Sequence, residues 1–245
     1  MTKIINSLSE ISDHYEALFV DLWGCVHDGV RAYDAANKAL IQYRSRGGKV
    51  ILVTNSPKPC SEVEKQLFSF GVAKEAWDSI ASSGESARVA MFQGIIGRKV
   101  YFIGEERDLP FFQPPSILES PLDIQLVSLE EADGIVCTGP FDPKVDPEKM
   151  LPQLLYAKKR GLKLLCVNPD VMVDRGHVRE WCAGSLASLY SNIGGKCLYF
   201  GKPHFPIYDL ALRKLDMLQA NTSKNKILAI GDGLQTDIKG AITQD

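Results

Sequence analysis

Asp21, Thr54, Lys202 and Asp232 share one sequence context. Each follows, within two residues, a run of four apolar residues: Ala17-Leu18-Phe19-Val20, Val50-Ile51-Leu52-Val53, Cys197-Leu198-Tyr199-Phe200 and Ile227-Leu228-Ala229-Ile230. The set comprises a carboxylate, a hydroxyl, a cation and a second carboxylate, which suits phosphoryl transfer through an aspartyl-phosphate. A carboxylate can attack phosphorus. Two carboxylates can hold Mg²⁺, a hard cation that prefers oxygen. Lys and Thr can neutralise and donate to the equatorial phosphoryl oxygens. Taken singly, an Asp after a strand is often only a turn former, and a lysine is most often solvated. The four together carry the functional reading.

The elements that must position these residues are legible from periodicity. Four-residue apolar runs bounded by polar residues suit strands buried on both faces. Val100-Tyr101-Phe102-Ile103, Gly134-Ile135-Val136-Cys137 and Leu164-Leu165-Cys166-Val167 extend the series. Helices are predicted over 34–46, with Ala36, Ala39, Leu40 and Tyr43 on one side, and over 147–160, stopped by Gly161. Ser7 with Glu10 and Ser61 with Glu64 have capping-box spacing at the start of two more helices, the second stopped by Gly71. Four prolines in 109–121 predict a loop. Alternating strands and helices predict an α/β fold with a parallel sheet and crossover helices. In such sheets ligands bind at the carboxyl ends of the strands.

Composition excludes several classes. A chain of 245 residues predicts one domain or a core with a second lobe. Lys plus Arg is 28 and Asp plus Glu 30, a formal charge of −2, without the basic surplus of a nucleic-acid binder. The 45% hydrophobic and 24% charged content is that of a globular protein. None of the six cysteines (Cys25, Cys60, Cys137, Cys166, Cys182 and Cys197) lies in a Cys-x-x-Cys pair, so they read as reduced thiols. No apolar run approaches the ~20 residues that span a bilayer, and the first ten residues hold no apolar signal core. The expectation is a cytoplasmic protein with neither membrane nor nucleic-acid partner.

The constellation resembles the haloacid dehalogenase (HAD) superfamily. Its first turn would be Asp21-Leu22-Trp23-Gly24, followed by Cys25-Val26-His27-Asp28-Gly29. The next two motifs would be Thr54-Asn55 and Gly201-Lys202-Pro203. The fourth would be Gly231-Asp232-Gly233-Leu234-Gln235-Thr236-Asp237. With Asn168-Pro169-Asp170, these are similar to the NagD-like subclass IIA, which includes 4-nitrophenyl phosphatases and pyridoxal phosphatase. The resemblance covers nearly the whole chain. It implies a Rossmannoid core from residues 1–85 and 196–245, with an α/β cap at 86–195 over the active site. By that resemblance Asp21 is the nucleophile and a Mg²⁺ ligand, and Lys202 pairs with it and with phosphate. Thr54 and Asn55 contact the phosphoryl group. The metal is held by the Trp23 carbonyl and the Asp232 carboxylate, with Asp237 acting through water or from behind. The implied activity is Mg²⁺-dependent hydrolysis of a small-molecule phosphate ester. A homodimer through the cap stays open.

The pattern departs from the family in two places. Trp23 stands where phosphatases of the family have an Asp that protonates the leaving group and then activates water. Indole only donates, and general acid–base catalysis contributes about 10²- to 10⁴-fold. Family members also continue through a further helix and strand beyond the position of Asp245. Trp23 supports a rival reading, a catalytically weak or inactive protein that binds a phosphorylated ligand or a protein partner. A phospho-accepting receiver also uses Asp, Thr, Lys and Mg²⁺, but the long inserted middle and the acidic ending argue against it. His27 could replace the missing acid–base group or merely pack. Asn168 and Asp170 could reach the ligand or form a turn. Phe111 and Phe112 read as an interface or a core plug, and Lys158-Lys159-Arg160 as a solvated helix end.

Overall fold

A computed structural model describes residues 3–175 and 177–244. The chain opens with β1 (Ala17–Val20), α1 (Asp34–Ser45), β2 (Lys49–Thr54), α2 (Cys60–Phe70), β3 (Ser79–Ser82) and α3 (Ser83–Phe92). It continues with β4 (Lys99–Ile103), β5 (Gln125–Leu126), β6 (Gly134–Cys137), α4 (Leu151–Lys159), β7 (Lys163–Cys166) and the hairpin β8 (Met172–Arg175) and β9 (Val178–Trp181). It closes with α5 (Ala183–Asn192), β10 (Lys196–Tyr199), α6 (Phe205–Leu218), β11 (Ile227–Ile230) and α7 (Lys239–Ile242). Among the described residues no helix is long and apolar enough to cross a membrane, and all six cysteines are free.

Two parallel sheets result. The first has the order β11-β1-β2-β3, the second β10-β7-β6-β4-β5. Each strand of the first sheet sends alternate residues to opposite faces. Leu18, Val20, Val50 and Leu52 meet α1 and α2 through Leu40, Val63 and Leu67. Phe19, Ile51 and Val53 meet α6 through Ile207, Ala211 and Leu215. The second sheet repeats the arrangement. Ile135 and Leu164 lie with Leu154 of α4 and Leu186 of α5, while Val136 and Leu165 lie with Met91 and Phe92 of α3. Burying a side chain of this size contributes roughly 1.5–3 kcal/mol, so strands covered on both faces are strongly specified.

Register delivers the chemistry to one edge. Val20 lies level with Leu52 on one side and Ile230 on the other. Asp21, Thr54 and Asp232, one or two residues further on, therefore emerge together at the carboxyl edge of the sheet.

Several expectations change. The first predicted helix is only two 3₁₀ turns, Leu8–Glu10 and Ser12–His14. The Glu16 N–H already bonds to the Lys226 carbonyl at 2.8 Å on entry to β1, which leaves too few residues to nucleate an α-helix. The second capping box is unused: α2 starts at Cys60 after Pro59, and Glu64 pairs with Lys74 at 3.2 Å. The predicted loop begins as a 3₁₀ helix, Glu106–Phe112, with Phe111 buried in the core. The strand expected to open the second part of the core, β10, instead pairs with β7 in the second sheet, Lys196 opposite Lys163. Its apolar pattern suits either sheet. We therefore propose domain seams near residues 83 and 200, in place of 85/86 and 195/196.

The start of α3 pins the loop after β2. The Gly84 N–H donates to the Ser56 carbonyl at 3.0 Å, and a Cβ at Gly84 would lie 2.1 Å from the Pro57 carbonyl oxygen. That obstacle is backbone and cannot swing aside. Gly84→Ala is expected to lower stability by about 1–3 kcal/mol in urea unfolding. Gly139→Ala, where a Cβ meets nothing within 4 Å, should change it by no more than about 0.5 kcal/mol.

Candidate active site

Lys202 lies at the centre of the site and is only 3% exposed. Its Nζ lies 2.6 Å from Asp21 Oδ1 and 2.7 Å from Asp237 Oδ1. Burial works to lower the Lys202 pKa, but Asp21 and then Asp237 outweigh it and hold the ammonium charged above its ordinary range. Burial pushes the Asp21 carboxyl up to about 6; Lys202 opposes this and the negative charge of Asp237 adds to it. The Leu22 N–H also donates to Asp21 Oδ1, at 2.7 Å. Two donors thus hold one oxygen, Oδ1, and Asp21 lines the cavity described below.

The expected metal residues divide. Asp21 and Asp232 bring carboxylate oxygens within 4.8 Å of each other, with the Cys25 sulfur in the same cluster. Two carboxylates at this spacing form a donor set that fits a hard divalent cation. The turn between them requires glycine: Gly24 has φ +81°, and a Cβ there would lie 2.1 Å from Asp232 Oδ2. Asp237 lies outside this cluster. Its second oxygen accepts from the Gly233 N–H and the Thr236 hydroxyl, both at 3.2 Å. Its place is on the lysine, because the turn after β11 aims it there.

The expected phosphate contacts also divide. Thr54 is buried at the end of β2, and its hydroxyl accepts from the Ser56 N–H at 3.2 Å. Asn55 also lines the cavity, and its side chain is bonded within the protein. Its Oδ1 accepts from the Lys202 N–H at 2.7 Å, and its Nδ2 donates to Asp170 Oδ1 at 2.8 Å and the Lys202 carbonyl at 3.3 Å. Asn55 is a clamp joining β2 to the lysine loop and the cap hinge. Asn168 serves the turn, accepting from the Asp170 N–H at 3.0 Å. Burial pushes the Asp170 carboxyl up, against the Asn55 hydrogen bond.

Trp23 sits at the seam. Its Nε1–H donates to the Asp174 carbonyl of β8 at 3.1 Å, which ties the first turn of the core to the cap hairpin. His27 lies edge-on to Trp23 and to Phe70, at 5.5 and 5.0 Å. Its Nδ1 accepts from the Gly29 N–H at 3.0 Å. Burial drives its pKa down to about 4, against Asp28. Above these groups lies a cavity of about 370 Å³. Its walls include Lys58 just before α2 and Gln66 within it, Arg107 and Thr138 beyond the second sheet, and Glu180 and Trp181 of β9. Sequence reading missed these lining residues and the hairpin, whose only signal at 172–181 is the pair Met172-Val173 and the isolated Val178 and Trp181 among polar residues.

The comparisons agree with this geometry. Residues 18–113 match the family described as haloacid dehalogenase-like hydrolase, and residues 199–245 match a HAD-hydrolase-like family. The crystal structure of a haloacid dehalogenase-like hydrolase from Brucella suis 1330 is 40% identical, with TM-score 0.92 over 98% of this chain and 86% of that one. Phosphoglycolate phosphatase 2 of Arabidopsis thaliana is 26% identical over 95% of this chain and 81% of its own. A glycerol phosphate phosphatase of Mycobacterium tuberculosis, solved in complex with magnesium, shares the fold at 23% identity and TM-score 0.70 over 95% of this chain and 66% of its own. With an aspartate, a buried lysine and a second carboxylate meeting at the strand ends of a matching fold, the chain belongs to the haloacid dehalogenase-like hydrolases.

Proposed function

We propose that the protein hydrolyses a small-molecule phosphate monoester through a phosphoryl-Asp21 intermediate. The observation that carries this reading is the Asp21 carboxylate, which lines the cavity and has one oxygen held by Lys202 at 2.6 Å. In the first step Asp21 Oδ2 bonds to phosphorus as the bond to the leaving oxygen breaks. The leaving group departs with a proton drawn from solvent. In the second step water attacks the same phosphorus, the Asp21–phosphorus bond breaks, and phosphate leaves. Lys202 stays charged throughout and offsets the negative charge on the phosphoryl oxygens. Thr54 adds a hydroxyl donor at the end of β2. Asp21 and Asp232 would hold a Mg²⁺ ion, which when bound supplies further neutralisation of those oxygens. The Arabidopsis and Mycobacterium relatives, phosphatases by name, support the same reaction class.

The acid–base position is where this site differs. Trp23 Nε1 is bonded to the cap and cannot accept a proton. The Nδ1 of His27 already accepts a backbone N–H, and the ring is neutral near pH 7. Neither side chain therefore supplies a general acid, and leaving-group basicity should govern the rate.

Asp21→Asn should abolish turnover while keeping a folded circular dichroism spectrum, because an amide does not attack phosphorus; its melting temperature should fall, because Lys202 loses one of its two buried carboxylate partners. Wild-type activity in a folded Asn variant would refute the nucleophile.

Wild type should turn over aryl and acyl phosphates far faster than alkyl phosphates. Trp23→Asp should raise alkyl phosphate turnover more than 4-nitrophenyl phosphate turnover, by up to about 10²-fold. An equal slowing of both would mean that the indole chiefly holds the cap, and no turnover by either protein would assign the site to ligand binding.

His27 is also testable through stability. Its folded pKa of about 4 lies below the unfolded value of 6.5, so the unfolded chain binds the extra proton first as pH falls. Its contribution is full above pH 6.5 and is lost toward pH 4, on the order of 3 kcal/mol in all. His27→Asn should flatten the dependence of the urea midpoint on pH across that window. An unchanged slope would show that the ring is not held neutral.

A further inference from the structure

Cys25 has no role in the phosphatase reading. Its sulfur and one carboxylate oxygen from each of Asp21 and Asp232 all lie within 4.8 Å of one another. The placement is built into the turn. The Val26 and His27 N–H groups both bond to the Leu22 carbonyl, at 2.8 and 3.1 Å, and the Gly24 N–H bonds to the His27 carbonyl at 2.9 Å. Cys25 is therefore held on a closed loop directly beside the two carboxylates. The other thiols are elsewhere: Cys137 and Cys166 are buried in the second sheet, and Cys60 faces the Ile80 carbonyl at 3.2 Å.

We propose that Cys25 is a third donor at this centre, giving it an oxygen, oxygen, sulfur set that takes a borderline-soft divalent ion of the Zn²⁺ or Co²⁺ class in competition with Mg²⁺. The proposal rests on the reading of Asp21 and Asp232 as metal-binding carboxylates. Mg²⁺ takes oxygen and leaves a thiol aside, whereas Zn²⁺ binds thiolate at about 2.3 Å and carboxylate at about 2.0–2.2 Å. A tetrahedral ion with such bonds holds its donors about 3.5 Å apart. The observed spacing closes onto one ion by side-chain shifts of about an ångström. As the sulfur–metal bond forms, the thiol proton leaves to solvent, and nothing is oxidised or reduced. Zn²⁺ bound this way shares the Asp21 carboxylate with the sulfur and draws the nucleophile away from phosphorus. Sulfur thereby makes the site selective among ions, and Zn²⁺ an inhibitor.

The test is spectroscopic and uses the whole chain. Co²⁺ titrated into wild type without Mg²⁺ should give visible d–d bands and a sulfur-to-cobalt charge-transfer band in the near ultraviolet. Cys25→Ser should keep the d–d bands and lose the charge-transfer band. Its Zn²⁺ affinity, measured against a chromophoric chelator, should fall by about tenfold or more, and its Mg²⁺ affinity by about threefold or less. Co²⁺ binding without the band, or a band that survives in Cys25→Ser, overturns the sulfur ligand and leaves the carboxylate site standing. Failure of both Co²⁺ and Mg²⁺ to bind overturns both. If Cys25→Ser does not fold, alkylation of wild-type Cys25 read by mass spectrometry decides. Zn²⁺ should protect the thiol and Mg²⁺ should not; equal protection, or none, overturns the proposal.

Discussion

A buried ammonium between two carboxylates is the constraint around which the site is organised. Taking Lys202, Asp21 and Asp237 out of water is costly, and the arrangement holds because both carboxylates contact the ammonium at short range. Removing one partner of such a group typically costs about 3–5 kcal/mol, since a buried charge is left uncompensated. The three residues lie on segments far apart in sequence: the end of β1, the loop after β10 and the turn after β11. The triad thus fastens the edge of the sheet where Asp21 and Thr54 emerge. It also aims the cation at the place where a phosphoryl group would gain negative charge.

Asn55 extends that constraint to the cap. With both polar atoms of its side chain used on the Lys202 backbone and Asp170, it makes the lysine loop and the cap hinge one unit. The Trp23 hydrogen bond to the Asp174 carbonyl forms a second tie, at the opposite wall of the cavity. Trp23 thereby ties the first turn of the core to the hairpin β8–β9. Arg107, Thr138, Glu180 and Trp181 are among the side chains over the cavity between these two ties.

Much of this was legible before any coordinates. Four-residue apolar runs predicted β1, β2, β4, β6, β7, β10 and β11 to within a residue, because strands covered on both faces cannot hold polar residues. Asp21, Thr54, Lys202 and Asp232 were legible for the same reason, since they end those runs. The hairpin β8–β9 was not, because its residues are largely exposed and face a cavity rather than a core. The first helix failed because a capping-box spacing is local, whereas the pull of β1 into the sheet is not.

Local sequence determined the strands, the glycine-bearing turns and the chemical types at the strand ends. Those depend on periodicity, on conformations open only to glycine and on the hydrophobic effect, all of which act over a few residues. Tertiary structure alone decided which sheet receives β10, since its apolar pattern would satisfy either. It alone decided that Asp237 serves the lysine, that Asn55 clamps the hinge and that Cys25 stands beside two carboxylates. Each of these is a pairing between side chains brought together by register and sheet order, and the spacing of residues along one chain holds no record of that distance.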